Sequence, residues 1–168
     1  MNGDTDKMHS SILVAARHDP QFALVMADEI VAEHGDESIS WFARAYVNTV
    51  LKQHLEARKD IERAIEIEPG QSQGYFKLGR NNLKVGLFQN AVSSFSKIID
   101  DIELQSREAF LSEAQIHRAF CRIRLGEFQS ALQDLVSVEV HEPIFIDKLR
   151  TRDELIQMCR QESGGSER

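Results

Sequence analysis

Six histidines, two cysteines and a few adjacent carboxylates are the side chains of this chain best suited to chemistry on a bound molecule. A metal site needs three or four converging His, Cys, Asp or Glu ligands, usually with a short spacing such as HExxH or CxxC. His9, His18, His34, His54, His117 and His141 show no such spacing, and Cys121 and Cys159 stand far apart. Two cysteines outside any CxxC motif read as reduced thiols of a cytoplasmic protein. There is no GxSxG elbow to present a nucleophile and no Gly-rich loop to cradle a phosphate. Asp36-Glu37 and Asp100-Asp101 read as solvated loop and helix-end residues. The sequence points away from an enzyme and implies no cofactor and no metal.

What remains is surface and the scaffold that shapes it. The 168 residues suffice for one domain, and 42% hydrophobic content suffices for a core. Three prolines and nine glycines leave little room for a turn-rich β architecture. The formal charge is −7, unevenly spread: residues 1–71 hold seven Lys/Arg against thirteen Asp/Glu, and the remainder thirteen against fourteen. An acidic total disfavours nucleic acid, whose phosphates need neutralising. No basic-then-apolar leader opens the chain and no apolar run reaches the length of a membrane span, so neither export nor membrane insertion is expected.

The chain repeats itself. "KVGLFQNAVSSF" (84–95) returns as "RLGEFQSALQDL" (124–135), and 34 residues before Ala91 stands Ala57. Four residues after each alanine comes Ile61, Phe95 or Leu135, and three further on Ala64, Ile98 or Val138. Twelve residues before each comes a small residue, Ala45, Gly79 or Ala119. The segments "SWFARAYVNTVL", "GYFKLGRNNLKV" and "AQIHRAFCRIRL" carry apolar residues at helical spacing. Gly86 and Gly126 follow two of them, where a helix ends at positive φ. Each unit therefore predicts two antiparallel helices that approach closely at their small residues.

This skeleton resembles the tetratricopeptide repeat, a 34-residue helix–turn–helix unit. The first unit, 38–71, matches at Trp41, Ala45, Ala57, Ile61, Ala64 and Pro69. The second, 72–105, matches at Tyr75, Leu78, Gly79, Gly86, Ala91 and Phe95; the third, 112–145, at Ala119, Gly126, Ala131, Leu135 and Pro143. The departures are Gln115 for an aromatic, Arg44 and Arg118 in the Leu column, Glu103 for Pro, Lys52 for the turn glycine, and six residues inserted near "DIELQSREAFL". Residues 4–37 read as an N-terminal helical pair joined at Asp19-Pro20, either a degenerate repeat or a cap. Residues 146–162 read as a C-terminal capping helix bearing Leu149, Ile156 and Cys159, and 163–168 as a flexible tail. The fold this implies is all-α, a right-handed solenoid of antiparallel helix pairs.

The resemblance further implies that first helices line a concave groove that receives a partner segment. The columns facing it hold Phe42 and Tyr46; Phe76, Lys77, Arg80 and Lys84; and Ile116, His117, Phe120 and Arg124. Aromatic anchors with cations suit a protein or peptide segment that is both apolar and acidic. The clamp that grips heat-shock chaperone tails uses Lys/Asn, Asn and Lys/Arg. Here those columns hold Phe42 and Tyr46, Lys77, then Glu113 and His117, so chaperone-tail binding is not expected. The first reading is a non-enzymatic interaction module, scaffold or chaperone-like, with a secretion-system chaperone as a narrower form. The rival is an immunity or inhibitor protein that meets a basic toxin with an acidic face of Asp28, Glu29, Glu33, Asp36 and Glu37.

Overall fold

The computed structural model describes residues 3–100, 110–138, 143–146 and 148–164. The six-residue insertion, Glu103 and His141 lie outside the described residues. Among those described there are nine α-helices and one two-residue β-ladder. The helices are α1 Gly3–His18, α2 Pro20–Glu33, α3 Ser38–Val50, α4 His54–Ile67, α5 Ser72–Lys84, α6 Phe88–Asp100, α7 Leu111–Arg124, α8 Phe128–Val136 and α9 Arg152–Gly164. The chain divides into two compact units, Met1–Asn81 and Asn82–Arg168, with the division inside α5.

In the first unit, α1 packs on α2 and both pack on α3, which pairs with α4. Pro20 opens α2, where its missing N–H costs nothing, and the Asp19 carboxylate accepts the Phe22 amide at 3.0 Å. Ala23, Ala27 and Ile30, one period before the alanine columns, are fully buried with Ile12 and Ala16 against Ala43 and Val47. Phe42, Ala45, Ile61 and Ala64 form the adjoining core between α3 and α4. In the second unit, α7 packs on α6 and α8, and α9 closes on α8. Ala57, Ala91 and Ala131 are each at zero exposure, which lets paired helices approach at the columns the repeat marks.

The turn inside each helix pair is built the same way three times. Gly86 and Gly126 sit at φ 78° and 80°, and Lys52 occupies the matching place at φ 61°. The next amide reaches back over the turn each time: Gln53 to the Asn48 carbonyl at 2.8 Å, Leu87 to Asn82 at 2.9 Å, Glu127 to Arg122 at 2.8 Å. These are Schellman closures, which favour glycine at the left-handed residue. Lysine there costs about 1–2 kcal/mol of backbone strain, part of which glycine returns as unfolded-chain entropy. Lys52→Gly is therefore expected to stabilise the chain by about 0.5–1 kcal/mol, read as a higher urea midpoint at unchanged slope. A lower midpoint would show that the Lys52 side chain earns its place by contacts.

The C-terminal segment departs from the sequence expectation. Ile144–Phe145 pairs antiparallel with Leu149–Arg150, so Leu149 lies in a ladder and not on a helix. Thr151 then starts α9 with a reciprocal cap: its hydroxyl accepts the Glu154 amide at 3.1 Å, and the Glu154 carboxylate accepts the Thr151 amide at 2.8 Å. "TRDE" is a legible capping box, and it puts the helix start at residue 152 rather than 146. Well before Pro143, α8 stops at Val136. There the guanidinium of Arg152 takes the Leu135 carbonyl at 2.7 Å, satisfying one of the last-turn acceptors.

Candidate functional site

Within residues 1–81 the groove columns come together around Phe42 and Phe76, each 5% exposed. Gly74 makes room for this packing: a Cβ there would meet Ile65 at 2.8 Å and the Phe42 ring at 3.3 Å. The Lys77 ammonium stands over the Phe42 ring, 5.4 Å from its centroid, and the Arg80 guanidinium over Phe76 at 6.0 Å. Lys77 is half-buried and Arg80 exposed, and no carboxylate among the described residues bonds either. Burial, then the charge of Arg80, lower the Lys77 pKa. His9, on α1, is also lowered, by burial first and Lys77 second. The result is a partly desolvated ammonium on an aromatic floor, with the exposed Arg80 guanidinium beside it and the His9 imidazole held toward its neutral form. Tyr46 is half-buried and packs toward the α1–α2 core.

Within residues 82–168 the corresponding columns are closed over. Ile116, His117 and Phe120 are 1–2% exposed. The His117 ring bonds the Glu113 carbonyl at 2.8 Å and lies 5.4 Å from Phe95. Ile146, just after the first strand of the ladder, joins Ile116, Phe120, Ile123, Leu155 and Cys159 in one core. Arg150 stands over the Phe120 ring at 5.3 Å, while Arg124 reaches both Phe88 at 4.7 Å and Phe120 at 6.0 Å. Of this part of the predicted groove only Lys84 and Arg124 are exposed. The aromatic floor is not an open surface here, because the segment after Pro143 brings apolar side chains that bury it.

The acidic face is split by the structure. Asp28 is tied to Arg44 at 3.1 Å, and Glu29 and Glu33 are exposed on α2. Asp36 and Glu37 instead join Asp6 and Glu68 around a cleft of about 610 Å³, with Ile39, Phe42 and Ile67 among its walls. Glu37 accepts the Thr5 hydroxyl at 3.2 Å, and Glu68 the Ser38 hydroxyl at 2.7 Å.

Sequence reasoning missed a second periodic feature. Arg44 and Arg118, read only as departures from the Leu column, each reach the acid sixteen residues on. Arg44 grips Asp60 at 2.7 Å and Arg118 grips Asp134 at 2.7 Å, with Asn48 and Arg122 adding bonds of 2.8 Å to the same carboxylates. The middle unit replaces the set with Leu78, Asn82 and Ser94, and Asn82 bonds Ser94 at 3.5 Å. Burial opposes the charge of Arg118, but the bonds and charge of Asp134 outweigh it and hold its pKa above the usual value. The sequence signal was available: a basic residue in the Leu column occurs only where an Asp replaces Ser in its partner column.

Cys121 is fully buried on α7, and that burial pushes its thiol up to about 12. It is therefore expected to resist thiol reagents at pH 8 in the folded chain and to react as urea unfolds it, the two transitions coinciding. Rapid labelling of the native chain at Cys121 would contradict the packing. Among the described residues no group of three His, Cys, Asp or Glu side chains could hold a metal ion, and no helix is long and apolar enough to cross a membrane.

These helix pairs, their turn closures and their alanine columns give an all-α fold of tetratricopeptide-like helical repeats. Tetratricopeptide-like repeats of a putative kinesin light chain from Podosopora anserina superpose with a TM-score of 0.75 at 17% identity, covering 98% of this chain and 90% of that one. YrrB, described as a tetratricopeptide protein with an unusual peptide-binding site, gives 0.60 at 17% identity over 74% of this chain and 61% of its own. In sequence, 85 residues are 29% identical to small glutamine-rich tetratricopeptide repeat-containing protein 2 of Saccharomyces cerevisiae. That match takes in 51% of this chain and spans a quarter of the yeast protein's length. No protein-family model matches the sequence.

Proposed function

We propose that this chain is a protein–protein interaction module that holds an acidic, partly apolar segment of a partner against Phe42 and Phe76, with Lys77 and Arg80 as the recognising charges. One observation carries the reading: Lys77 is kept half-buried over an aromatic ring, and among the described residues no carboxylate bonds it. A charge held that way loses hydration without an ion pair in return. A partner's carboxylate supplies the missing counter-ion, and the lysine stem lying over the buried rings supplies apolar contact. The peptide-binding site ascribed to YrrB lends support by analogy of fold. The reading involves no catalysis.

The experiment is affinity copurification from the native host with wild type beside Lys77→Glu/Arg80→Glu, followed by a peptide array of the recovered partner. A partner lost by the variant, with array signal centred on an acidic segment, supports the groove. A partner retained equally by the variant removes Lys77 and Arg80 from the interface. A secretion chaperone would be the case in which that partner is an exported protein.

A further inference from the structure

We infer that His9 is a second recognising group of the same site, facing Lys77 across Phe42, and that it takes a proton from solvent as a partner's carboxylate settles between them. The inference rests on the interaction-module reading for the carboxylate, and adds to it a dependence of binding on pH near neutrality. Its basis is the layout of residues 1–81. Asp6 of α1, Phe42 of α3 and Gln73 of α5 line one cleft. As alternate members of an antiparallel stack, α1 and α5 run the same way. One turn further on, His9 therefore follows Asp6 and Lys77 follows Gln73. The Lys77 ammonium stands 5.4 Å from the centre of the Phe42 ring, close enough to His9 for its charge to act on the imidazole. Both side chains are half-buried, and among the described residues neither forms a hydrogen bond or an ion pair.

The charges around His9 fix which way the proton moves. In the chain alone, burial first and then Lys77 hold the imidazole below the usual histidine value, against a weaker pull from Asp6 on the same helix. The helices packed nearby add little to this. On α3 the one charged residue, Arg44, is committed to Asp60 and Asp28, and the half-buried Tyr46 is neutral at this pH. On α2, Glu29 and Glu33 are exposed. Between α2 and α3, Asp36 is exposed and Glu37 is engaged by Thr5 at 3.2 Å and His34 at 3.8 Å. From α5 the exposed Arg80 stands beside Lys77. A carboxylate bonded to Lys77 reverses the local sign. It cancels the charge that disfavoured protonation, and its other oxygen accepts a charge-assisted hydrogen bond from the protonated ring. Binding and protonation then favour each other by one common factor, as linkage requires.

The test titrates the wild-type chain with the blocked peptide Ac-Phe-Glu-Leu-Glu-Phe-NH2 between about pH 7.5 and 5.5, where its glutamates stay ionised. Amide and imidazole NMR shifts report binding and His9 protonation together. The expected result is roughly tenfold tighter binding at the acid end of the range, with the His9 ring titrating at higher pH in the presence of the peptide than in its absence. His9→Gln, which also identifies the His9 ring signals, should bind as wild type does at the alkaline end and lose the acid gain. Lys77→Met should weaken binding throughout and, with no peptide present, raise the pH at which His9 titrates. The glutamine version of the peptide should show no comparable pH dependence. An unshifted His9 titration, an acid gain that survives His9→Gln, or a His9 ring indifferent to Lys77→Met would overturn the role of His9. The groove reading stands in those cases if affinity still depends on Lys77. A peptide that binds the wild-type chain nowhere in the range would overturn both.

Discussion

Replacing Asp134 with alanine is expected to cost about 3–5 kcal/mol of stability, the largest loss anticipated from any single substitution considered. The carboxylate is 5% exposed and takes Arg118 through two nitrogens, at 2.7 and 3.1 Å, and Arg122 through a third at 2.8 Å. Its removal leaves Arg118, 9% exposed, with Ser96 at 2.8 Å and Asp100 at 3.3 Å as its remaining partners. Asp100 is 66% exposed, and an ion pair in that setting is worth at most about 1 kcal/mol. The dominant effect is an uncompensated buried charge and not lost packing. The middle repeat supplies the control. Arg118→Leu/Arg122→Asn/Asp134→Ser copies Leu78, Asn82 and Ser94 into the last repeat and removes charge and countercharge together. Because paired removal can be nearly neutral, the triple variant should lie within about 1 kcal/mol of wild type. Urea unfolding followed by circular dichroism reads both. A triple variant as unstable as Asp134→Ala would show that the guanidiniums matter for shape rather than charge.

Lys77→Glu/Arg80→Glu is expected to lower affinity for an acidic partner segment by roughly thirty-fold or more, about 2–5 kcal/mol. Reversal removes the two attractive charges and puts like charge beside the incoming carboxylate. Lys77→Met should lose most of the same affinity while leaving the chain at least as stable, because it removes a charge whose burial is uncompensated. That separation of binding from stability is what a purely structural lysine would not produce. The pH dependence follows from the sign of the shift. Burial and Arg80 lower the Lys77 pKa below the usual lysine value of 10.5. The cost of its charge is fully present below the folded pKa. As pH rises from that value toward 10.5, the unfolded chain binds more protons and stability increases. Lys77→Met should abolish that alkaline rise. Over the same range a wild-type chain should release an acidic peptide, since the recognising charge is lost. Affinity flat to pH 10 would disconnect Lys77 from recognition.

The candidate site was partly legible. Phe42, Phe76, Lys77 and Arg80 follow from counting along a 34-residue period, and the structure gathers them in residues 1–81 with cations over rings. The closure over Phe120 was not readable, because Ile146 and Arg150 reach it across a chain separation with no period to count. The acidic cleft was half visible: Asp36 and Glu37 stood out as a pair, but Asp6 and Glu68 come from two other helices' ends.

What the order of residues determined by itself is the local grammar. Helical spacing, small-residue columns and left-handed turn positions act over a few residues, so Gly86, Gly126 and even the substituted Lys52 can be located by counting. The "TRDE" cap belongs to the same class, since Thr151 and Glu154 are three residues apart. Tertiary structure alone decided which charges are paired and which are not. Arg118 and Lys77 look alike in a sequence, yet one is buried against Asp134 and the other lies half-buried over a ring, bonded to no carboxylate among the described residues. The energy of a charge depends on the solvent and countercharge within a few ångströms of it, and only the packed fold sets both.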